Sequence, residues 1–247
     1  MFNVDDVKKN KMFGDYQNNT NISLLNKYVY FAVDKVANST IKQSLFEIEY
    51  KKVSTTVLSL YDKRTSPLLS PFQVPQNLMK EVYESDEYFK FAFVRNPYSR
   101  LLSCYLDRIL TLTSKPSRHF RHALVKNGYT QEQLSFESFI KVICKQQSSF
   151  QNSHWREQSS DILFDLISFD HIAKFENIWS EMEFVSQKIF GSILPEMKDR
   201  GLNKSPQITG ASQKLAKFYT PELSELVYKR FKADFENFNY EFLDLTT

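Results

Sequence analysis

Residues Tyr28 to Leu45 read YVYFAVDKVANSTIKQSL, and this stretch decides the fold. An apolar run rich in aromatic and β-branched residues, about Tyr28 to Val33, gives way to a short polar loop and then to a segment with helical spacing from about Ser39 to Ile48. A strand that feeds a helix through a polar loop builds a backbone cradle for an anion. The first amides of a helix lack intrahelical acceptors, and the helix dipole adds positive potential at the same end. Lys35 brings a mobile cation to this cradle, while Asn38, Ser39 and Thr40 bring amide and hydroxyl groups that cap the helix or hold a phosphate oxygen. A Walker A loop needs glycines for its backbone to wrap the phosphates, and no glycine lies between Gly14 and Gly128. An ordinary ATP or GTP loop is therefore disfavoured.

A second unit of the same kind follows. Phe89 to Val94, FKFAFV, is a short apolar run of the sort buried in a parallel sheet, and it stops at Arg95-Asn96-Pro97. Pro97 suits the first turn of a helix, and Leu101, Leu102, Tyr105 and Ile109 then recur at helical spacing. Elsewhere the pattern predicts a strand within Lys51 to Tyr61, a proline-bearing loop over 66–75, a helix from Gln76 to Ser85, helices near 118–127 and 135–147, a strand within Ile167 to Phe175, and helices near 176–190 and 221–235. Residues 1–26 are polar and asparagine-rich, and read as a leader segment packed on the domain or partly mobile. Strands alternating with helices predict an α/β fold, a central parallel sheet flanked by helices with a helical insertion, as one domain over residues 1–247.

A net charge of +3 is mild basicity, better matched to small acidic ligands than to nucleic acid. Two cysteines, Cys104 and Cys144, are too few for a disulfide framework or a cysteine metal site, and no metal site is expected. No apolar run reaches the length of a membrane span and the start has no signal-peptide core, so the sequence reads as cytoplasmic, with the Golgi lumen open only if an amino-terminal anchor has been removed. Oligomeric state is not legible.

Lys35-x-Ala37-x-Ser39-Thr40 after a strand resembles the 5′-phosphosulfate loop of sulfotransferases that use 3′-phosphoadenosine-5′-phosphosulfate, PAPS. Arg95-Asn96-Pro97-Tyr98-Ser99-Arg100-Leu101-Leu102-Ser103-x-Tyr105 resembles their 3′-phosphate loop and helix. Read singly, the first is a helix cap beside a surface lysine and the second an ion-pairing arginine with a helix serine; it is their order, each after a strand, that points to a two-ended clamp. His154-Trp155-Arg156-Glu157-Gln158 is similar to the H-W-R-P-Q segment of the carbohydrate sulfotransferase branch that includes the HNK-1, chondroitin and dermatan enzymes (sulfotransferase family 2), and residues 169–177 and 218–240 resemble its later strand and carboxy-terminal helix. Three departures stand out. Asp34 occupies a position where proline is common, Glu157 replaces the proline of H-W-R-P-Q, and Ser159-Ser160-Asp161-Ile162 stands where those enzymes carry a cysteine pair.

The resemblance implies a P-loop-NTPase-like sulfotransferase fold and an enzyme that moves a sulfuryl group from PAPS to a hydroxyl, on a glycan acceptor, releasing 3′-phosphoadenosine-5′-phosphate, PAP. Lys35, Ala37, Asn38, Ser39 and Thr40 would hold the 5′ end, and Arg95 and Ser103 the 3′-phosphate. Lys35 would also stabilise the leaving group. His154 is the first candidate for the base that takes the acceptor proton, with Glu47 as the alternative and Asp62 and Glu157 as competitors. Arg118-His119-Phe120-Arg121-His122 reads as a basic patch able to meet an anionic acceptor, or as a solvated helix face. Two other classes remain beside this one: a nucleotide kinase-like phosphotransferase, and a non-catalytic PAP- or PAPS-binding module.

Overall fold

The computed structural model describes residues 7, 11, 13–52, 62–111, 113–198 and 209–245. Its sheet has the strand order β1 (Thr20–Ser23), β2 (Tyr28–Phe31), β3 (Phe89–Val94), β4 (His171–Lys174). Strands β2, β3 and β4 are parallel, with Phe31 opposite Ala92 and Val94 opposite Lys174. Every residue of β2 is buried, as are all but the first of β3. Helices cover both faces of such strands, so the strands are written as continuous apolar runs and not as alternation. Lys90 is the exception in β3, and its ammonium is retained because it donates to the Ser85 and Tyr88 carbonyls at 2.8 and 3.1 Å.

The predicted parallel sheet is present, with an added antiparallel edge. Residues 13–23, assigned from sequence to a leader, form helix α1 (Phe13–Asn19) and strand β1, which pairs antiparallel with β2. The strand TNIS carries one apolar residue, Ile22, fully buried and bridged to Leu69. Asn21 is held sideways: it donates to the Asn19 and Tyr30 carbonyls, and Lys63 donates to Thr20 O and Asn21 Oδ1. Helix α2 (Asn38–Lys52) buries Ile41, Leu45 and Ile48 on one stripe against the sheet. It runs through Lys51 and Lys52, where a strand was expected to begin; the remainder of that expected strand, 53–61, lies outside the described residues.

Helix α3 (Gln76–Glu84) leads into β3. Helix α4 (Pro97–Cys104) starts with Asn96 as its cap, accepting from the amides of Tyr98 and Ser99, and with Pro97 at its first position. It continues into a π-helical turn, Tyr105–Ile109. Helices α5 (Lys115–Lys126), α6 (Phe136–Ile143), α7 (Gln158–Ile162), α8 (Ile178–Phe190), α9 (Leu215–Phe218), α10 (Pro221–Arg230) and α11 (Lys232–Asn237) follow along the chain. Two apolar cores result. One lies against the sheet; the other joins Tyr98, Leu101 and Leu102 of α4 to Phe120, Phe139, Trp155, Val227 and Phe235.

A buried ionic cluster fastens the segment after α6 to the rest. Arg156 donates to Asp161 Oδ1 at 2.8 Å and to Asp15 Oδ2 at 2.7 Å, and Lys11 donates to the Asp161 carbonyl. Asp161 also lies 3.7 Å from Arg100. Breaking one member of such a cluster would leave an uncompensated buried charge.

Candidate active site

Because β2 and β3 are adjacent and parallel, the loops that follow them emerge at the same edge of the sheet, about 5 Å apart at their roots. The first loop, residues 32–37, wraps tightly: Lys35 has φ 71° and Ala37 φ 59°, both in the left-handed region. Glycine would adopt these angles without strain, whereas Lys and Ala each hold them at a cost of about 1–2 kcal/mol. The Ala37 carbonyl accepts from the amides of Thr40 (2.9 Å) and Ile41 (3.1 Å), which starts α2. The amides of its first turn thus stand at the mouth of the loop, with Asn38, Ser39 and Thr40 around them. The absence of glycine does not prevent a phosphate-type wrap.

The second loop closes on the first. Arg95, at the end of β3, is buried; its Nη1 donates to the Lys35 carbonyl at 3.1 Å and its Nε to Ser99 Oγ at 2.9 Å, and its guanidinium lies 4.4 Å above the centre of the Phe175 ring. Burial pushes its pKa down to about 10, which still leaves it a cation at neutral pH. The side-chain amide of Gln158 brackets the Arg95 backbone, accepting from its amide at 2.9 Å and donating to its carbonyl at 2.8 Å. Gln158 is held in turn by Asp234 of α11, which also accepts from the amides of Gln158 and Ser159 at the start of α7. Ser103 follows two turns along α4 on the Arg95 face, its hydroxyl accepting from Thr209 Oγ1 at 3.3 Å.

Lys35 donates its ammonium to Asp107 on the π turn, and Asp107 also meets Arg108 Nε at 3.1 Å. Both members of the Lys35–Asp107 pair are mostly shielded, 12% and 15% exposed, so the pair is little screened. Sequence reasoning missed Asp107, although a signal existed: Ser99, Ser103 and Asp107 recur every four residues from Arg95, on one side of the helix. A π turn in that position is a frequent mark of a functional site.

His154 reaches the same cluster. Its Nδ1 lies 2.9 Å from Asn152 Oδ1 and 3.4 Å from Asp34 Oδ2, and its backbone amide donates to the same Asn152 oxygen. Burial lowers its pKa; Asp34 raises it, while Arg108, Lys35 and Arg100 lower it further, so the imidazole is neutral at pH 7 and able to accept a proton. For Asp34 burial acts upward, but His154, the Ser153 hydroxyl, Lys42 and Arg100 outweigh it and hold the carboxyl at about 2. Arg100, fully buried, donates to the Asp34, Ser153 and Arg156 carbonyls at 2.9, 2.9 and 2.7 Å. Lys35, Arg95, His154 and the start of α2 are thereby brought together.

The other candidates sit apart. Glu47 accepts from Gln43 on α2, nine residues and roughly 13 Å beyond the helix start. Asp62 is bonded in a turn to Arg64, which holds it at about 2. Glu157 is raised by burial and bonds Ser148 and, at 3.8 Å, Arg230. His171 pairs with Glu181 at 2.6 Å on the outer strand β4. His119, on the exposed face of α5, reaches Asn152 at 3.5 Å, so the basic face of Lys115, Arg118, His119 and His122 borders the His154 segment.

The sequence profile of the sulfotransferase family matches residues 18–241. The chain belongs to this family. Among curated proteins, the chain is 22% identical over 171 residues to carbohydrate sulfotransferase 14 of Danio rerio, an alignment covering 66% of this chain and 46% of that one. It is 26% identical over 170 residues to carbohydrate sulfotransferase 11 of Mus musculus, covering 62% and 47%, and 26% identical over 178 residues to carbohydrate sulfotransferase 9 of Homo sapiens, covering 66% and 40%. The chain thus spans less than half the length of these relatives in each alignment. No solved structure matches it with significance. The kinship with carbohydrate sulfotransferases conflicts with the cytoplasmic expectation, which is withdrawn. No helix among the described residues is long and apolar enough to cross a membrane, but neither that nor two unpaired thiols fixes a compartment.

Proposed function

We propose that this sulfotransferase takes PAPS as its donor and transfers the sulfuryl group to a hydroxyl of a carbohydrate. The observation that carries the reading is the Arg95–Lys35 bond, which joins two anion-binding loops at the ends of neighbouring parallel strands. One loop offers helix amides, Ser39, Thr40 and the Lys35 ammonium, which suits the 5′ phosphosulfate. The other offers Arg95 and Ser103, which suits a 3′-phosphate.

As the donor's bond to sulfur breaks, negative charge grows on the 5′-phosphate oxygen; Lys35 and the amides of the α2 start are positioned to stabilise it more strongly in the transition state than before it. Lys35 would exchange Asp107 for that oxygen when the donor arrives. With Nδ1 directed at Asn152 and Asp34, His154 keeps Nε2 as the lone-pair nitrogen, the atom to receive the acceptor's proton. The basic face of α5 beside Asn152 supports an acceptor bearing negative charge.

Calorimetric titration tests the donor assignment: PAP should bind far more tightly than AMP or ATP, and Arg95→Ala should erase most of that preference. Equal affinity for the three would overturn the 3′ clamp. Labelled PAPS incubated with a panel of neutral and acidic glycans tests the acceptor class, with Lys35→Ala expected to abolish transfer.

A further inference from the structure

We propose that Asp34 is a positioning residue: its carboxylate fixes the imidazole of His154, so that the loop carrying Lys35 also orients the base. The inference rests on the reading of His154 as that base. An acidic residue beside the lysine of an anion-binding loop is electrostatically out of place unless its charge is committed elsewhere. Here that charge is committed to the Ser153–His154 segment. Asp34 Oδ2 accepts from Ser153 Oγ at 2.6 Å and lies 3.4 Å from His154 Nδ1.

The tautomer follows from the neighbours of Nδ1. Asn152 cannot be flipped to present its NH2 there, because the His154 backbone amide donates to the same Asn152 oxygen at 3.1 Å. Nδ1 therefore faces two acceptors, Asn152 Oδ1 and Asp34 Oδ2, and must carry the hydrogen. The contact between the two segments is fixed from behind: Arg100 donates to both the Asp34 and Ser153 carbonyls.

The charges facing His154 are Asp34 and Lys35 of the loop after β2, Arg100 of α4 and Arg108 of the π turn, with Lys42 of α2 facing Asp34. Of these Asp34 alone favours the imidazolium that forms when the acceptor gives up its proton. Without it, burial and three cations oppose proton uptake. Asp34 would thus serve two ends, orientation before the reaction and charge compensation during it.

Nitrogen-15 NMR of the imidazole in the wild-type chain should show the Nδ1–H tautomer for His154; an Nε2–H tautomer overturns the proposal without any variant. Asp34→Asn should lower kcat by roughly 10- to 100-fold and move the acid limb of the kcat profile to lower pH. PAP affinity, which reports an intact fold, should stay within about twofold. Combined with His154→Ala, Asp34→Asn should add no further loss. An unchanged kcat and pH profile in Asp34→Asn would sink the role of Asp34 alone, whereas full turnover in His154→Ala would sink the base assignment itself.

Discussion

Asp234→Ala tests how the carboxy-terminal helices support the donor site. The buried Asp234 carboxylate accepts from the backbone amides of Gln158 (2.8 Å) and Ser159 (2.7 Å), from Ser159 Oγ (2.9 Å) and from Gln158 Nε2 (3.3 Å). Removing it strands two backbone N–H groups at the start of α7, each worth about 1–3 kcal/mol when left buried and unpaired. Against this stands relief from burying a carboxylate, whose pKa burial raises. The net loss expected is roughly 2–4 kcal/mol. Trp155, fully buried and three residues before Gln158, is a suitable reporter, and urea unfolding should move to a lower midpoint with an unchanged slope. The loss should also reach function, because the Gln158 amide that brackets Arg95 loses its anchor. The preference for PAP over AMP should fall with little change in AMP affinity. A loss below about 1 kcal/mol would refute the accounting, and an unaltered preference in a destabilised protein would refute the link from Asp234 to Arg95.

Asp107→Asn removes the partner that Lys35 must leave when the donor binds; PAP affinity measured by calorimetry should rise roughly 5- to 20-fold, the equivalent of about 1–2 kcal/mol. Ala37→Gly relieves a left-handed alanine at φ 59°, and a thermal melt should show a gain near 1 kcal/mol. The buried lysines give a pH signature. Burial lowers Lys63 to about 7 and Lys11 and Lys42 to about 8 from 10.5. Between those values and 10.5 the unfolded chain binds more protons than the folded one, so the unfolding free energy should increase from pH 7 towards pH 10. A flat or falling curve in urea titrations across that range would contradict it, and Lys63→Met should reduce the slope.

The parts of the fold legible in sequence are those where burial leaves a single-letter trace. YVYF and FKFAFV are written as apolar runs, interrupted only at Lys90, because parallel strands are covered on both faces, and Asn96-Pro97 announces its helix through a cap and a ring that needs no amide partner. Strand β1 has no such trace, since TNIS is retained in the sheet by bonds from Lys63, forty-odd residues away, that no local pattern encodes. The site divides along the same line. Lys35, Arg95, Ser103 and His154 stand out as candidates by residue type and order, whereas Gln158 and Asp234 act on Arg95 through the fold and leave no spacing to read.

The donor loop gives the sharper lesson. A missing glycine excludes a wrapped loop only if strain at the positive-φ positions cannot be borne, and here Lys35 and Ala37 bear it. What holds them is visible: Arg95 takes the Lys35 carbonyl, Arg100 takes the Asp34 carbonyl, and Asp107 takes the Lys35 ammonium. Each of these groups comes from the unit that follows β3, so the first loop reaches its shape only when the second is folded against it. The two loops are therefore one structure, and a change at Arg100, which lies outside the Lys35 loop and holds only its backbone, should disorder that loop as surely as a change within it, read as a loss of PAP affinity by calorimetry.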